Sequence, residues 1–168
     1  MNDDIRTEPP HLAGDRASLV AFLDYQRRTL AWKCSALSPE QLRARAVPPS
    51  GLSLLGLVRH AAEVERSWFR NVVNGEDVPA FWPRRADGEF AEFDVEGADV
   101  DEAFRIWEAA CARSREIVDG IESLDAPISW REETFSLRYI LTHMIEEYAR
   151  HNGHADLLRE ILDGSTGE

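Results

Sequence analysis

The residues best suited to chemistry lie near the end of the sequence, where one helical pattern holds a carboxylate and several imidazoles. Glu147 and His151 are four residues apart, with His143 one turn before the pair and His154 one turn after it. At about 100° per residue, all four side chains fall on or beside the apolar side of a helix. A single histidine in such a position usually forms a core hydrogen bond, but four polar groups together favour a metal site.

A buried carboxylate makes the metal interpretation stronger. An unpaired carboxylate in an apolar setting costs several kcal/mol, so Glu147 needs a cation, a proton or strong hydrogen-bond donors. Side chains four residues apart leave the same helical face about 6 Å apart along the axis, so Glu147 and His151 can reach one ion. The expected apolar neighbours on this stripe are Ile140, Met144, Leu158, Ile161 and Leu162.

A third ligand is expected from another helix. His60 flanks an apolar face formed by Leu57, Ala61, Val64 and Trp68, whereas His11 lies in the N-terminal tail, so elimination favours His60. Two histidines and one glutamate with an open position form the ligand set of a catalytic zinc, although nickel, manganese or iron also suits it. His143 and His154 are then candidates to orient the ligands, transfer protons or hydrogen-bond in the core.

The elements that must position these residues are helical. Hydrophobic spacing and capping signals predict helices over 15–37, 38–44, 54–73, 99–124 and 136–163. Ser38, Pro39 and Gln41 form a capping-box pattern, and Gly164 is a left-handed terminator. Four long helices with a long second connection predict an all-α, four-helix bundle over residues 15–164, between a flexible tail at 1–14 and a short tail at 165–168.

The loop over 75–98 lacks a period but contains Phe81, Trp82, Phe90 and Phe93. Loops of this length in a compact domain tend to be functional, so we expect its aromatic residues to wall the open end of the metal site. A second loop carries Pro127 and Trp130.

Charge and composition limit the partners. The 168 residues include 31 acidic and 19 basic ones, a net charge of −12 that would repel nucleic acid and anionic membranes. The first residues lack the pattern of a secretion signal, and no apolar run approaches the roughly 20 residues of a membrane span. We therefore expect a cytoplasmic protein in which Cys34 and Cys111 are buried thiols.

Two stretches of sequence resemble one known superfamily. The first contains PPS at 48–50, SLLGLVRH at 53–60 and ERSWF at 65–69, and the second contains SLR at 136–138, HMIEE at 143–147 and ARHNGHADLLRE at 149–160. Together they resemble the DinB/YfiT-like proteins, and especially the actinobacterial branch that includes mycothiol-dependent maleylpyruvate isomerase and thiol S-transferases. Many members carry His at the position of Glu147 and Gln at that of His154, so this chain is more similar to the isomerase-like branch.

The resemblance implies an up-down-down-up bundle that binds a divalent metal. In isomerase-like members a helix-two histidine and a Glu-x-x-x-His pair hold the metal, a pattern that falls on His60, Glu147 and His151. It also implies that a low-molecular-weight thiol such as mycothiol is activated as a metal-bound thiolate to attack a small electrophile, in a transferase or an isomerase. A homodimer is compatible with the resemblance.

Two other interpretations stay open from the sequence. A metal-dependent hydrolase would use a metal-bound water with Glu146 or a neighbouring histidine as base, although Glu146 lies about 100° from the stripe. A non-enzymatic binding or stress-response module would keep the histidines only as a structural remnant. The hydrolase needs metal alone, the transferase needs metal and thiol, and the remnant needs neither.

Overall fold

A computed structural model describes residues 6–166 of the chain, and it is mostly helical. The helices are α1 (Asp15–Cys34), α2 (Pro39–Arg43), α3 (Leu54–Glu65), α4 (Val100–Asp119) and α5 (Leu137–Asp163), with a π-helical segment (Arg66–Val73) after α3 and a short 3-10 turn (Ala91–Phe93). The expected tails reach into residues 1–5 and 167–168, which lie outside the described residues. None of the described helices is long and apolar enough to cross a membrane.

The helix boundaries show which local signals decide them. The capping box before α2 is confirmed, because Gln41 N–H donates to Ser38 Oγ and Ser38 N–H donates to Gln41 Oε1. α1 ends three residues before the predicted position, since Ala36 adopts a left-handed φ of 58°. α5 ends as predicted at Gly164, whose φ of 77° lets its N–H donate to the Glu160 carbonyl.

Three elements differ from the sequence prediction. The predicted helix over 54–73 is continuous, but its second part is the π-helical segment. The helix predicted over 99–124 ends instead at Asp119, where Gly120 follows. The predicted loop around Pro127 and Trp130 is a hairpin of β1 (Pro127–Trp130) and β2 (Glu133–Ser136), paired antiparallel with Ile128 opposite Phe135.

The described chain divides into two compact units, and the first consists of the described residues within 1–54 and 141–168. In it, the side chain of Asn152 on α5 donates to the backbone carbonyl of Gln26 on α1. Arg159 donates to the carbonyls of Lys33 and Ser35, which are acceptors left over where α1 ends. These bonds hold α5 alongside α1 and so fix the direction in which α5 presents its polar residues.

The second unit spans residues 55–140. The chain after the π-helical segment is fastened to α4 by one carboxylate, because Glu76 accepts hydrogen bonds from Arg70 at 2.7 Å and from Arg113 at 3.0 Å. Asn74 donates to the same carboxylate at 2.8 Å. The hydrogen bonds from Asn74, Arg113 and Arg70 lower the pKa of Glu76 from 4.5 to about 2.

Replacing Glu76 tests this fastening through its pH dependence. Because the pKa is lower in the folded chain, the carboxylate stabilises the fold above pH 4.5, and the stabilisation is lost as pH falls towards 2. Glu76→Gln should lower the melting temperature by about 2 to 4 °C at pH 7, the scale of a partly exposed network. The difference from the parent should shrink between pH 5 and pH 3 in thermal unfolding followed by circular dichroism.

Glu116→Gln is the matched control, because Glu116 also accepts from Arg113 at 3.0 Å but is 68% exposed. We expect Glu116→Gln to lower the melting temperature at pH 7 less than Glu76→Gln does. Equal effects of the two variants, or a Glu76→Gln effect that does not vary with pH, would contradict the assigned role.

Candidate metal centre

The helix α5 places Glu147 and His151 side by side. Glu147 Oε1 lies 3.2 Å from His151 Nε2, as the four-residue spacing predicts. Their side chains are 19% and 18% exposed. The sequence had indicated a position at the centre of the core, but the pair lies at its edge. This partial exposure leaves the two donor atoms accessible to an ion or a small molecule.

The predicted apolar stripe of α5 is correct for most of its length but not at its end. Ile140, Met144 and Leu158 are buried, whereas Ile161 is 59% exposed. Tyr148, which the predicted stripe did not include, is also buried on this helix. The sequence analysis placed Ile161 beside Glu147 from its angle around the helix axis alone. That angle does not show whether another element covers the side chain at this position.

His154 contacts His151 from the next turn of α5. The two Nδ1 atoms lie 3.3 Å apart, and the ring planes cross at 63°. A hydrogen bond between two ring nitrogens needs one protonated and one unprotonated nitrogen. If His151 uses Nε2 for another partner, its Nδ1 carries the proton and donates to the unprotonated Nδ1 of His154. Burial, followed by the positive charges of His151 and Arg150, lowers the pKa of His154, which favours this neutral acceptor form.

His143 lies on α5 one turn before Glu147 and is partly exposed. Its expected role beside the ligands stays a prediction. Glu146, the base that a hydrolase would need, is 64% exposed and pairs with Arg150 at 3.0 Å. That pairing directs its carboxylate along the outer surface of α5 and gives the hydrolase interpretation no support.

In the second unit, α3 presents His60 with its imidazole 21% exposed. Its Nδ1 lies 3.4 Å from Glu92 Oε1, and its ring stacks on Phe93 with centroids 5.2 Å apart. Because Nδ1 faces a carboxylate, it carries the proton, and Nε2 is left as the lone-pair donor for an ion. The 3-10 turn Ala91–Phe93 therefore both orients the ring and selects its tautomer.

Glu92 is the functional candidate that the sequence analysis missed. It is only 4% exposed although it belongs to a loop. Burial is the largest single effect and raises the pKa of its carboxyl. The hydrogen bond from His60, a backbone hydrogen bond and the charges of His60 and Arg84 together exceed that effect, so the pKa is lower than usual. An acid between two aromatic residues, Phe90 and Phe93, was the available signal in the sequence.

The long loop lines a cavity beside His60. That its aromatic residues wall the open end of the metal site stays a prediction. The cavity has a volume of about 270 Å³. From the loop it is lined by Ala80, Trp82, Arg84, Phe90 and Glu92, and from α3 and the π-helical segment by His60, Glu63, Val64, Arg66, Ser67 and Trp68.

The three residues expected from the sequence to bind a metal form one group of possible ligands. One nitrogen or oxygen from each of His60, Glu147 and His151 lies within 4.8 Å of the other two. The group could therefore hold one divalent cation.

The two cysteines are not part of this chemistry. Cys34 and Cys111 are both buried, as predicted. Burial raises the pKa of the Cys34 thiol to about 12, despite the nearby charge of Arg159. Cys34 is thus a neutral thiol at physiological pH and a poor nucleophile.

Comparison with known proteins agrees with the resemblance seen in the sequence. The model of a protein family described as MST, Mycothiol-S-transferase, matches residues 18–164. None of the curated proteins compared with the chain matches it. The matched residues run from within α1 to the end of α5 and include His60, Glu147 and His151. Since it spans far more than half of the sequence, the chain belongs to the mycothiol-S-transferase family.

Proposed function

We propose that this protein is a divalent-metal-dependent thiol transferase that activates mycothiol as a metal-bound thiolate for attack on a small electrophile. The observation that carries the proposal is the proximity of three donor atoms, from His60, Glu147 and His151, in a chain of this family. An isomerase would use the same thiolate to add to a double bond reversibly, whereas a transferase keeps the thioether product. The family match favours the transferase.

The donor set fits a catalytic metal. Two imidazoles and one carboxylate leave at least one coordination position open for a thiol or water, as in catalytic zinc sites. Zinc is the metal we propose, although the same donors accept nickel, manganese or iron. The partial exposure of His60, Glu147 and His151 is consistent with a site that small molecules reach.

The remaining chemistry depends on residues that hold the ligands. A bound divalent cation favours the thiolate form of a thiol, and the thiolate is the attacking form. Glu92 accepts a hydrogen bond from Nδ1 of His60, and His154 accepts one from Nδ1 of His151. Each ligand imidazole is thereby fixed as the tautomer whose Nε2 has a free lone pair for the metal. Glu147 supplies a negative charge that partly neutralises the cation.

We also propose the finer features of the fold that the resemblance implies. These are an up-down-down-up arrangement of α1, α3, α4 and α5 and a cytoplasmic location, where low-molecular-weight thiols are kept reduced. Four helices arranged in this way are a common scaffold for metal sites built from facing side chains.

Glu147→Gln separates a metal ligand from a structural acid. The amide keeps the side-chain size but removes the charge, so metal affinity should fall by more than about 100-fold, and mycothiol-dependent turnover should fall with it. Metal stoichiometry and calorimetric titration with Zn²⁺ measure the metal affinity. Consumption of thiol in the presence of a generic electrophile measures the turnover.

Glu146→Gln is the adjacent control, since Glu146 is exposed and paired with Arg150. It should leave both quantities unchanged. Full metal occupancy in Glu147→Gln, with an undiminished rise in melting temperature on adding Zn²⁺, would remove Glu147 from the site and leave the proposed function without its anionic ligand.

Glu92→Ala tests the positioning of His60. Loss of the acceptor on Nδ1 allows the ring to rotate or change tautomer, so Zn²⁺ affinity should fall by about 10- to 100-fold, the usual cost of losing a partner of a ligand histidine. Glu92→Gln should lower the Zn²⁺ affinity less, because its amide oxygen can still accept the hydrogen bond from Nδ1 of His60. The measurement is Zn²⁺ titration of the metal-free proteins.

Glu96→Gln is the control for this experiment, because Glu96 is an exposed acid of the same loop. Circular dichroism of the metal-free variants checks that the helices are retained. Zn²⁺ affinities that are equal in Glu92→Ala and Glu96→Gln would contradict the positioning role.

A further inference from the structure

The cavity beside His60 is lined by both aromatic and polar side chains. Trp68, Trp82 and Phe90 supply the walls, and Arg66 and Ser67 line it from the first turn of the π-helical segment. π-Helical turns are rare and frequently occur at functional sites. At about 270 Å³ the cavity is slightly smaller than typical drug-sized pockets, so it suits a molecule of about one ring with a short substituent.

The carboxylates of the cavity already have donors. Glu63 accepts from Arg66 Nε at 2.7 Å through one oxygen and from the backbone N–H of Trp82 at 2.8 Å through the other. Glu92 accepts from His60. Because these acids are buried and paired, they do not present free negative charge to a ligand, and a cationic ligand gains little in this cavity.

What the cavity offers to a ligand is N–H and O–H donors. The bonds described for Arg66 use its Nε, with Glu63, and its Nη1, with the Val78 carbonyl, which leaves Nη2 for another acceptor. Ser67 adds a hydroxyl. The Arg84 guanidinium lies over the Phe90 ring, 3.6 Å from its centroid, so that face of the ring already has a cation as its partner. The chemistry selects a planar ligand that carries an acceptor oxygen.

We infer that this cavity binds the electrophilic co-substrate and that the preferred class is a small planar compound in which a carbon–carbon double bond is conjugated to a carbonyl and an aromatic ring. The inference rests on the proposed function, since His60 links the cavity to the ligand set. The ring lies against Phe90 and Trp82, and the carbonyl oxygen accepts from Arg66 and Ser67.

The reaction that follows from this placement balances. The thiolate sulfur of mycothiol forms a bond to the carbon β to the carbonyl, and the π electron pair of the double bond moves towards the carbonyl oxygen. Donors at that oxygen stabilise the enolate as it develops. The α carbon then takes a proton from water, which replaces the proton that the thiol lost, and the product is the neutral thioether.

Binding of 4-phenylbut-3-en-2-one tests the cavity without any turnover. Titration calorimetry of the parent, Phe90→Ala and Phe22→Ala compares two phenylalanines of similar exposure, 48% and 47%, of which only Phe90 lines the cavity. Phe90→Ala should raise the dissociation constant about tenfold, from loss of an aromatic contact and its buried area, and Phe22→Ala should not change it. Phe90→Leu, which keeps apolar volume, should give an intermediate value.

Turnover with mycothiol completes the test. Phe90→Ala should raise KM for 4-phenylbut-3-en-2-one about tenfold and change kcat/KM for the ringless but-3-en-2-one much less, whereas Phe22→Ala should change neither. Equal constants for Phe90→Ala and Phe22→Ala, or no binding of the ring compound to the parent, would overturn the inference. If the ring compound binds as expected but no electrophile is consumed with any thiol, the cavity stands and the proposed function fails.

Discussion

A carboxylate that leaves water must gain a hydrogen-bond donor or a cation, and this requirement organises the regions around the candidate site. The second unit buries Glu63, Glu65 and Glu92 to less than a tenth of their exposed surface. Glu63 is held by Arg66 and the Trp82 backbone, Glu65 accepts from Cys111, and Glu92 accepts from His60. Each buried acid thereby fixes a second residue, and in the case of His60 that residue is a proposed metal ligand.

The same requirement explains why the loop over 75–98 is ordered around the cavity. Its backbone is tied to α3 by the bond from Trp82 N–H to Glu63 and to the π-helical segment by the Asn71 side chain, which bonds both polar backbone atoms of Val78. Arg59 donates to the Asp94 carbonyl, and its guanidinium lies over the Trp82 ring. A loop without regular hydrogen bonding is thus held by side chains whose own burial demands partners.

What the sequence could predict follows from how local each interaction is. The pair Glu147 and His151 is set by four residues of one helix, and the capping box of Ser38 and Gln41 by three, so both were predictable. Glu92 and His60 are 32 residues apart, and no helical period connects them. The hairpin of β1 and β2 was missed because strands of four residues are too short for alternation to stand out from a loop.

Local prediction also misjudged burial where the packing of other elements decides it. An angular projection put Glu147 at the centre of an apolar stripe, yet its side chain keeps 19% of its exposure. A carboxylate buried as deeply as Glu92 and already hydrogen-bonded can orient a neighbour but cannot exchange ligands with solvent. Glu147 and His151 are partly exposed, so water bound at their donor atoms can be exchanged for an ion. Deeply buried acids that position other residues thus differ in depth from the partly exposed acid that we propose as a metal ligand. Depth in the fold cannot be read from the helical period of a single chain segment.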